Sequence, residues 1–400
     1  MRTSFRGTEI EFSRRELGGG LGDIGLFAPI AIALITINGL NATAVFASAG
    51  AAYLCTALYF RVPLPVQPLK AFAAAAIALK LSAEVIAAGA LLMAAIMALL
   101  SATGLAGRLT KVFPLVLVRG IQASVALLLA KAAIDMAAKG NWDGLPPIDA
   151  RVSFAIAVAG FALLMLFSEN RRFPGALLVL GAGAAIGLAV DGGLPAIELG
   201  PEALALGLPQ GADFAAALTA LVIVQLPLSF GNSIVATADA ERNYFGATAE
   251  RVTPDRLAGS MGVWNTLSGA IGGLPICHGA GGATAHYKLG ARTPGATIMV
   301  GTGLLVLAVA FGSSLPALLH IFPPGAMAAM LIFVAFQHAQ LAATLDGVAD
   351  RAIAASVGAV TLFYGNLAIG FAFGLLLLSA RWVLRLMVEH RSAEPVTPAS

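Results

Sequence analysis

Pro63–Lys70 reads PLPVQPLK and runs straight into AFAAAAIAL, residues 71–79. Pro68 suits the first turn of a helix, where its missing N–H costs nothing, and the alanine-rich run behind it favours helix. The apolar segment, 66–80, is short against the roughly 20 residues that a full membrane span needs. A helix that starts inside an apolar region leaves its first N–H groups without intrahelical partners. In a bilayer they must be met by protein, water or a ligand. Lys70 stands in that first turn, where the helix dipole already places positive charge. A bound anion would answer both. A lysine that reaches water, or pairs with a carboxylate such as Asp23, would answer the charge alone.

The pattern occurs a second time. GGLPICHGAGGATAHYKLG, 272–290, again sets a proline ahead of a short segment, 277–290. Its HGAGG run carries almost no side chain, so backbone amides can approach a ligand closely. His278 adds a hydrogen-bond donor or proton acceptor. Tight helix packing is the competing reading of Gly and Ala in this setting. His286, Lys288 and Arg292 read as interface anchors toward one membrane face.

Around these two stretches the chain is 58% hydrophobic and 11% charged, less than half the charge of an average soluble domain. Apolar runs of spanning length recur at 21–38, 42–60, 83–103, 112–132, 152–169, 173–190, 213–237, 256–273, 294–313, 321–340, 351–365 and 366–386. With the two short segments this makes about fourteen, in two sets of seven. The expected class is an all-α polytopic membrane protein. Its expected divisions are an N-terminal segment 1–20, a first half 21–190, a connecting loop 191–212, a second half 213–386 and a tail 387–400. The N-terminus has no apolar stretch ahead of a cleavage site and does not read as a signal peptide.

Basic residues collect in alternate connections: Arg14, Arg15, Arg61, Arg108, Lys111, Arg171, Arg172, Arg242, Arg251, Arg256, Lys288, Arg292, Arg351, Arg381 and Arg385. The other connections hold Lys131, Lys139 and Arg151 beside Asp143, Asp149, Asp191, Glu198, Glu202 and Asp213. By the positive-inside rule both termini are cytoplasmic, in a cell membrane of bacterial inner-membrane type. Basic clusters that flank spans are no nucleic-acid surface. Cys55 and Cys277 fit neither a disulfide framework nor a metal pattern.

LGDIG, 21–25, precedes Pro65 by about the spacing at which FGNSI, 230–234, precedes Pro275. Asp23 then corresponds to Asn232, and PVQPLKA to PICHGAG. Seven is odd, so the halves are inverted, and interrupted helices at equivalent places point to a transporter site near the midplane. Asn232, Ser233 and Gln225 are hydrogen-bonding candidates in mid-span. Asp23, a lone intramembrane carboxylate, is a candidate for proton coupling or a partner for Lys70. Arg119 reads as a snorkelling residue near a helix end, and Gln337 and His338 as helix-end polar groups. Metalloprotease, nucleotide-binding and nucleophile-elbow motifs are absent. An enzyme is therefore not expected, nor a cofactor or a bound metal.

GDIGLFAPIAIAL (22–34), VPLPVQPLKAFAAAAIA (62–78), QLPLSFGNSIVATAD (225–239) and GGLPICHGAGGATAHYKLGAR (272–292) resemble the molybdate transporter family of plants, algae and bacteria. FPPGAMAAMLIFVAFQHAQLA (322–342) is similar more loosely. That family is related to the sulfate permeases (SulP superfamily) and more distantly to the uracil/xanthine permeases. Phe27 departs from the aromatic Tyr expected after GDIGL. The resemblance implies a seven-plus-seven inverted repeat. Segments one to four and eight to eleven would form a core domain, the others a gate domain, with no appended cytoplasmic regulatory domain. It implies oxyanion binding between the N-termini of segments three and ten and elevator-like alternating access. Gln67, Pro68 and Lys70 would flank one side, His278, Gly279, Ala280, Gly281 and Gly282 the other, with Asn232 and Ser233 beside them. It also implies a homodimer in membrane lipid.

The expectation is a secondary active importer, a symporter, of molybdate. The alternatives are the same machine for sulfate, tungstate or selenate, and an anion channel on this scaffold. Molybdate and sulfate share shape and charge, so the residues alone do not separate them.

Overall fold

The computed structural model describes residues 2–5, 7–108, 114–139, 148–167, 175–191, 193, 195–204 and 207–392. Lys111, Asp143, Arg171 and Arg172 of the charge pattern, and the tail beyond 392, lie outside the described residues.

A short antiparallel hairpin, β1 (Arg2–Phe5) and β2 (Thr8–Glu11), leads into the helices. Counted as continuous helical runs, the first half holds α1 (Arg14–Asn38), α2 (Ala42–Phe60), α3 (Lys70–Leu79), α4 (Ala83–Thr103), α5 (Leu115–Lys139), α6 (Ala150–Phe167) and α7 (Gly175–Asp191). The second holds α8 (Gly211–Ala249), α9 (Pro254–Ile271), α10 (Ala280–Leu289), α11 (Gly295–Leu319), α12 (Pro324–Ala342), α13 (Val348–Tyr364) and α14 (Leu367–Ser392). Among the described residues nine of these are long and apolar enough to cross a membrane. The chain is a multi-pass membrane protein.

The segments expected at 42–60 and 83–103 coincide with α2 and α4, because both have readable ends. Asn41 and Ser82 cap their N-termini through side-chain oxygens, and Gly104 ends α4 in the left-handed region. The first helix begins earlier than the apolar run at 21–38. Ser13 caps it, and Glu16 carries it across Gly18–Gly20 by holding the Arg292 and Thr293 amides at 3.0–3.2 Å. α8 outruns the expected 213–237, continuing through polar residues to Ala249. Pro227 lies inside it, and two stretches, Leu218–Val222 and Ser229–Ala236, widen to π-helix. Proline removes a ladder hydrogen bond, and π-turns absorb the misfit.

The packing obeys the repeat. α2 packs on α11 and α4 on α9; α5 packs on α12 and α13, and α6 on α12. Exchanging each helix for the one seven places away turns α2–α11 into α9–α4 and α5–α13 into α12–α6. It leaves α5–α12 unchanged. Halves of seven helices, an odd number, related in this way have opposite orientation, so this is an inverted repeat. Small residues let the backbones close: a Cβ at Gly50 would stand 2.8 Å from the Gly301 carbonyl, and one at Gly301 2.8 Å from that of Gly50.

At the centre, two extended pieces meet. β3 (Gln67–Pro68) pairs antiparallel with β4 (Ile276–Cys277), Gln67 opposite Cys277 and Pro68 opposite Ile276. Asn265 of α9 clamps β4. Its amide nitrogen donates to the Met261 and Ile276 carbonyls, and its oxygen accepts the Ile276 N–H, at 2.8–2.9 Å. Asn265→Ala leaves two buried backbone groups unpaired. It is expected to cost about 2–4 kcal/mol and to lower the thermal midpoint of the purified protein; an unchanged midpoint contradicts the clamp.

Candidate functional site

α3 and α10 start from opposite ends of the β3–β4 bridge, and neither has a side-chain N-cap. Bridge and neighbours take up part of the exposed backbone. Leu69 N–H reaches the Pro275 carbonyl at 3.0 Å, and Gln225 of α8 accepts the Phe72 N–H at 3.0 Å. Gln225 is thus an acceptor at the head of α3. Its amide nitrogen donates to Ser229 at 3.1 Å.

Asp23, Gln67 and Lys70 form one chain. Tyr53 donates its hydroxyl to Asp23 Oδ2 at 3.1 Å, and Gln67 Nε2 donates to Oδ1. Lys70 Nζ donates to Gln67 Oε1 at 2.7 Å. Carboxylate and ammonium fix which way the amide points: its N–H₂ must face the acceptor and its oxygen the donor. Lys70 therefore does not meet Asp23 directly, and no ion pair joins them within 4.0 Å among the described residues. Gln67 stands between opposite charges and relays each to the other. Nothing in the sequence around Tyr53 signals its part in this.

The chain crosses to the opposite half-helix. A Cβ on Gly279 would overlap Gln67 Oε1 and stand 3.1 Å from Lys70 Nζ. One on Gly282 would overlap Gln67 Nε2 and come within 2.7 Å of Pro65 and 2.9 Å of Asp23 Oδ1. Glycine is needed there because the facing side chains fill the space. Gly281 differs: it is exposed, and a Cβ there meets nothing within 4 Å. The lysine of α3 thus stands beside the first turn of α10, and that turn opens outward at Gly281.

His278 is fully buried and its ring is engaged on both sides. Nδ1 lies 2.8 Å from the Pro65 carbonyl, which only accepts, so Nδ1 carries the proton and Nε2 accepts from Ser260 at 3.1 Å. It straps β4 to the Pro63–Leu69 segment. Pro68 contributes its carbonyl to the Cys277 thiol at 3.4 Å. Ser233 is buried against that thiol, and Asn232, partly exposed, belongs to the π-helical stretch of α8. Ala280 opens α10 and is partly exposed.

Two residues depart from their expected settings. His338 is buried within α12, bonded to the Val334 carbonyl at 3.0 Å and within electrostatic range of Lys70. Arg119 donates to Gln122 at 2.8 Å, and its Nε is buried without a partner, next to Val118, which faces Gly231 of α8. A buried polar residue in a spanning helix is the signal that could have marked Asn265 and His338.

The family model described as "Molybdate transporter of MFS superfamily" matches residues 15–129 and 217–337. "Molybdate transporter 2" of Arabidopsis thaliana is 29% identical over 402 residues, covering 90% of this chain and 86% of its own. "Molybdate transporter 1" of Chlamydomonas reinhardtii is 26% identical, covering 92% of both. Among solved structures, the transmembrane domain of the cyanobacterium bicarbonate transporter BicA aligns with a TM-score of 0.67 at 17% identity, over 92% of this chain and 98% of that one. SLC26A9 aligns with a TM-score of 0.61 at 16% identity, over 92% of this chain and 65% of that one. These two likenesses give the fold. The superfamily in the family model's description is built on two six-helix halves related by a parallel repeat.

Gly282→Ala is expected to destabilise by about 1–3 kcal/mol through overpacking. Gly281→Ala is expected to be neutral or to gain up to about 1 kcal/mol, the helix preference of Ala over Gly. Thermal unfolding of the two purified variants checks this, and equal midpoints contradict it.

Proposed function

The chain belongs to the molybdate transporter family, and from that premise we propose that it imports molybdate as a secondary active transporter, holding the anion between the N-termini of α3 and α10. The observation that carries this reading is the position of Lys70 Nζ, 3.1 Å from where a Gly279 Cβ would be, beside the open first turn at Gly281. Each helix N-terminus counts for about half a positive charge; two of them with Lys70 amount to about +2, the complement of a tetrahedral dianion. Asp23 returns one negative charge, but it is buried and bonded to Tyr53 and Gln67. Backbone N–H groups of a glycine-rich turn can surround the oxygens of such an anion. Gln67, Pro68 and His278 hold the turn in place; Lys70, Gly279, Ala280, Gly281 and Gly282 line it, with Asn232 and Ser233 beside them.

α1–α4 with α8–α11 act in this reading as the moving core, and α5–α7 with α12–α14 as the gate. The support is that the heavy packing pairs, α2–α11 and α4–α9 on one side and α5–α12, α5–α13 and α6–α12 on the other, fall within these groups. Arg14, Arg15, Arg61, Arg251 and Arg256 supply the charge bias that puts both termini in the cytoplasm.

Lys70→Ala is expected to weaken molybdate binding about 10- to 100-fold, the worth of a hydrogen bond to a charged group, with little change in thermal midpoint. Titration of the purified variant checks it; wild-type affinity contradicts it. In proteoliposomes, uptake should be concentrative, and excess sulfate should fail to displace molybdate. Displacement by equimolar sulfate transfers the reading to a sulfate transporter, and non-concentrative flux to a channel.

A further inference from the structure

A surface cavity of about 420 Å³ lies where α2 and α8 end and α9 begins, lined by Tyr59, Glu250, Arg251 and Arg256. Each of these four is the chain neighbour of a buried apolar residue. Those neighbours, Phe60, Ala249, Val252 and Leu257, belong to one small hydrophobic cluster with Val62, Leu64 and Ala238. The cluster fixes the backbone beneath the cavity, so the polar side chains are held around one space.

Arg251 is the anchored member. Its Nη1 donates to the Tyr59 carbonyl at 3.2 Å, and its guanidinium lies 5.9 Å from the centre of the Tyr59 ring. A guanidinium has five N–H donors, and this bond uses one. Arg256 is exposed and stands in the first turn of α9, where the helix dipole already supplies positive charge. Among the described residues no carboxylate lies within 4.0 Å of either arginine. Asp255, beside Arg256 in the chain, accepts the Ala106 N–H at 3.2 Å and is not part of the lining. Two guanidinium groups against the one carboxylate of Glu250 leave a single net positive charge, and the α9 N-terminus adds about half of another. The cavity thus complements a monoanion with several oxygen acceptors. A phosphodiester is such a group, and arginine matches its geometry.

Exposed apolar side chains run away from the cavity along both helices. Arg256, Val263 and Leu267, spaced by seven and four, share one exposed face of α9. Leu58 and Tyr59 are exposed at the end of α2, which packs on α9. In a multi-pass membrane protein such a face meets acyl chains. A free phosphate would use only the arginines; a phospholipid uses the arginines and the apolar face together. We propose that this cavity binds the headgroup of an anionic phospholipid, its phosphodiester between Arg251 and Arg256 and an acyl chain along Val263 and Leu267. Tyr59 holds Arg251 in place, and Glu250 selects against more highly charged headgroups. The site is separate from the one at Lys70 and does not depend on the transport reading.

The test is native mass spectrometry of the purified full chain. It is titrated with phosphatidylglycerol or with phosphatidylcholine of the same acyl chains, each with and without inorganic phosphate. The wild type is expected to bind one phosphatidylglycerol more tightly than phosphatidylcholine. Arg251→Gln/Arg256→Gln is expected to weaken phosphatidylglycerol about 30-fold, the worth of two arginines at an anionic headgroup. Glu250→Gln is expected to tighten it about two- to fivefold. The control Arg14→Gln/Arg385→Gln removes the same charge from exposed arginines outside the cavity, and is expected to stay within about threefold of wild type. Equal losses in the two double variants overturn the site and leave only a general attraction of basic residues to acidic lipid. Equal binding of the two lipids overturns it as well. Displacement of the lipid by equimolar inorganic phosphate makes this a free-anion site and overturns the lipid assignment. If the double variant does not fold, Arg256→Gln alone decides: about fivefold weaker binding supports the site, and wild-type affinity overturns it.

Discussion

A backbone that stops being helical in the middle of a membrane must find partners there, and the short bridge between β3 and β4 is where this chain finds them. Gln67–Pro68 and Ile276–Cys277 lie antiparallel, and Asn265, Gln225 and His278 take up backbone groups of Ile276, Phe72 and Pro65 in and beside the bridge. In hydrocarbon an open strand edge would be untenable. Because the bridge joins the two inverted halves, it aims both half-helices at one place. Two helix N-termini converge by consequence of the repeat.

That convergence creates an electrostatic problem that the side chains resolve in part. Lys70 adds positive charge where the dipoles already supply it, and Asp23 offsets it through Gln67. The amide keeps the opposite charges apart while orienting both. An ion pair in direct contact would cancel the field; a relayed pair leaves the ammonium with hydrogen bonds to give on its open side, since it can donate three. The glycines opposite complete the geometry. Gly279 and Gly282 admit the Asp23–Gln67–Lys70 chain, and Gly281 leaves space in front of it.

Much of this was legible in the sequence. The prolines ahead of Lys70 and Ala280 marked the short helices, the apolar runs at 42–60 and 83–103 marked α2 and α4, and the repeat of seven predicted inversion. What was hidden depended on contacts between distant residues. The sequence left Lys70 with two partners, an anion or Asp23, and could not contain the third arrangement, in which Gln67 carries the contact. Its side chain reaches both neighbours only because the bridge fixes its position. His278 read as a ligand because it adjoins the glycine run, yet the carbonyl of Pro65, 213 residues away in the chain, holds its ring. Glu241, on which the sequence analysis is silent, is buried in the polar stretch TADAERNYFG, whose apolar members Ala238 and Phe245 pack with Phe60, Val62 and Leu64.

The oxyanion proposed here lies between Lys70 and the first turn of α10. Molybdenum and tungsten are strong scatterers, so the direct measurement is the structure of the protein with molybdate or tungstate bound, the metal located by its anomalous signal. One peak is expected in front of Gly281, with oxygens within hydrogen-bond distance, about 2.7–3.2 Å, of Lys70 Nζ and the backbone amides of Ala280–Gly282. A peak elsewhere, with Lys70 still bonded only to Gln67, would contradict it.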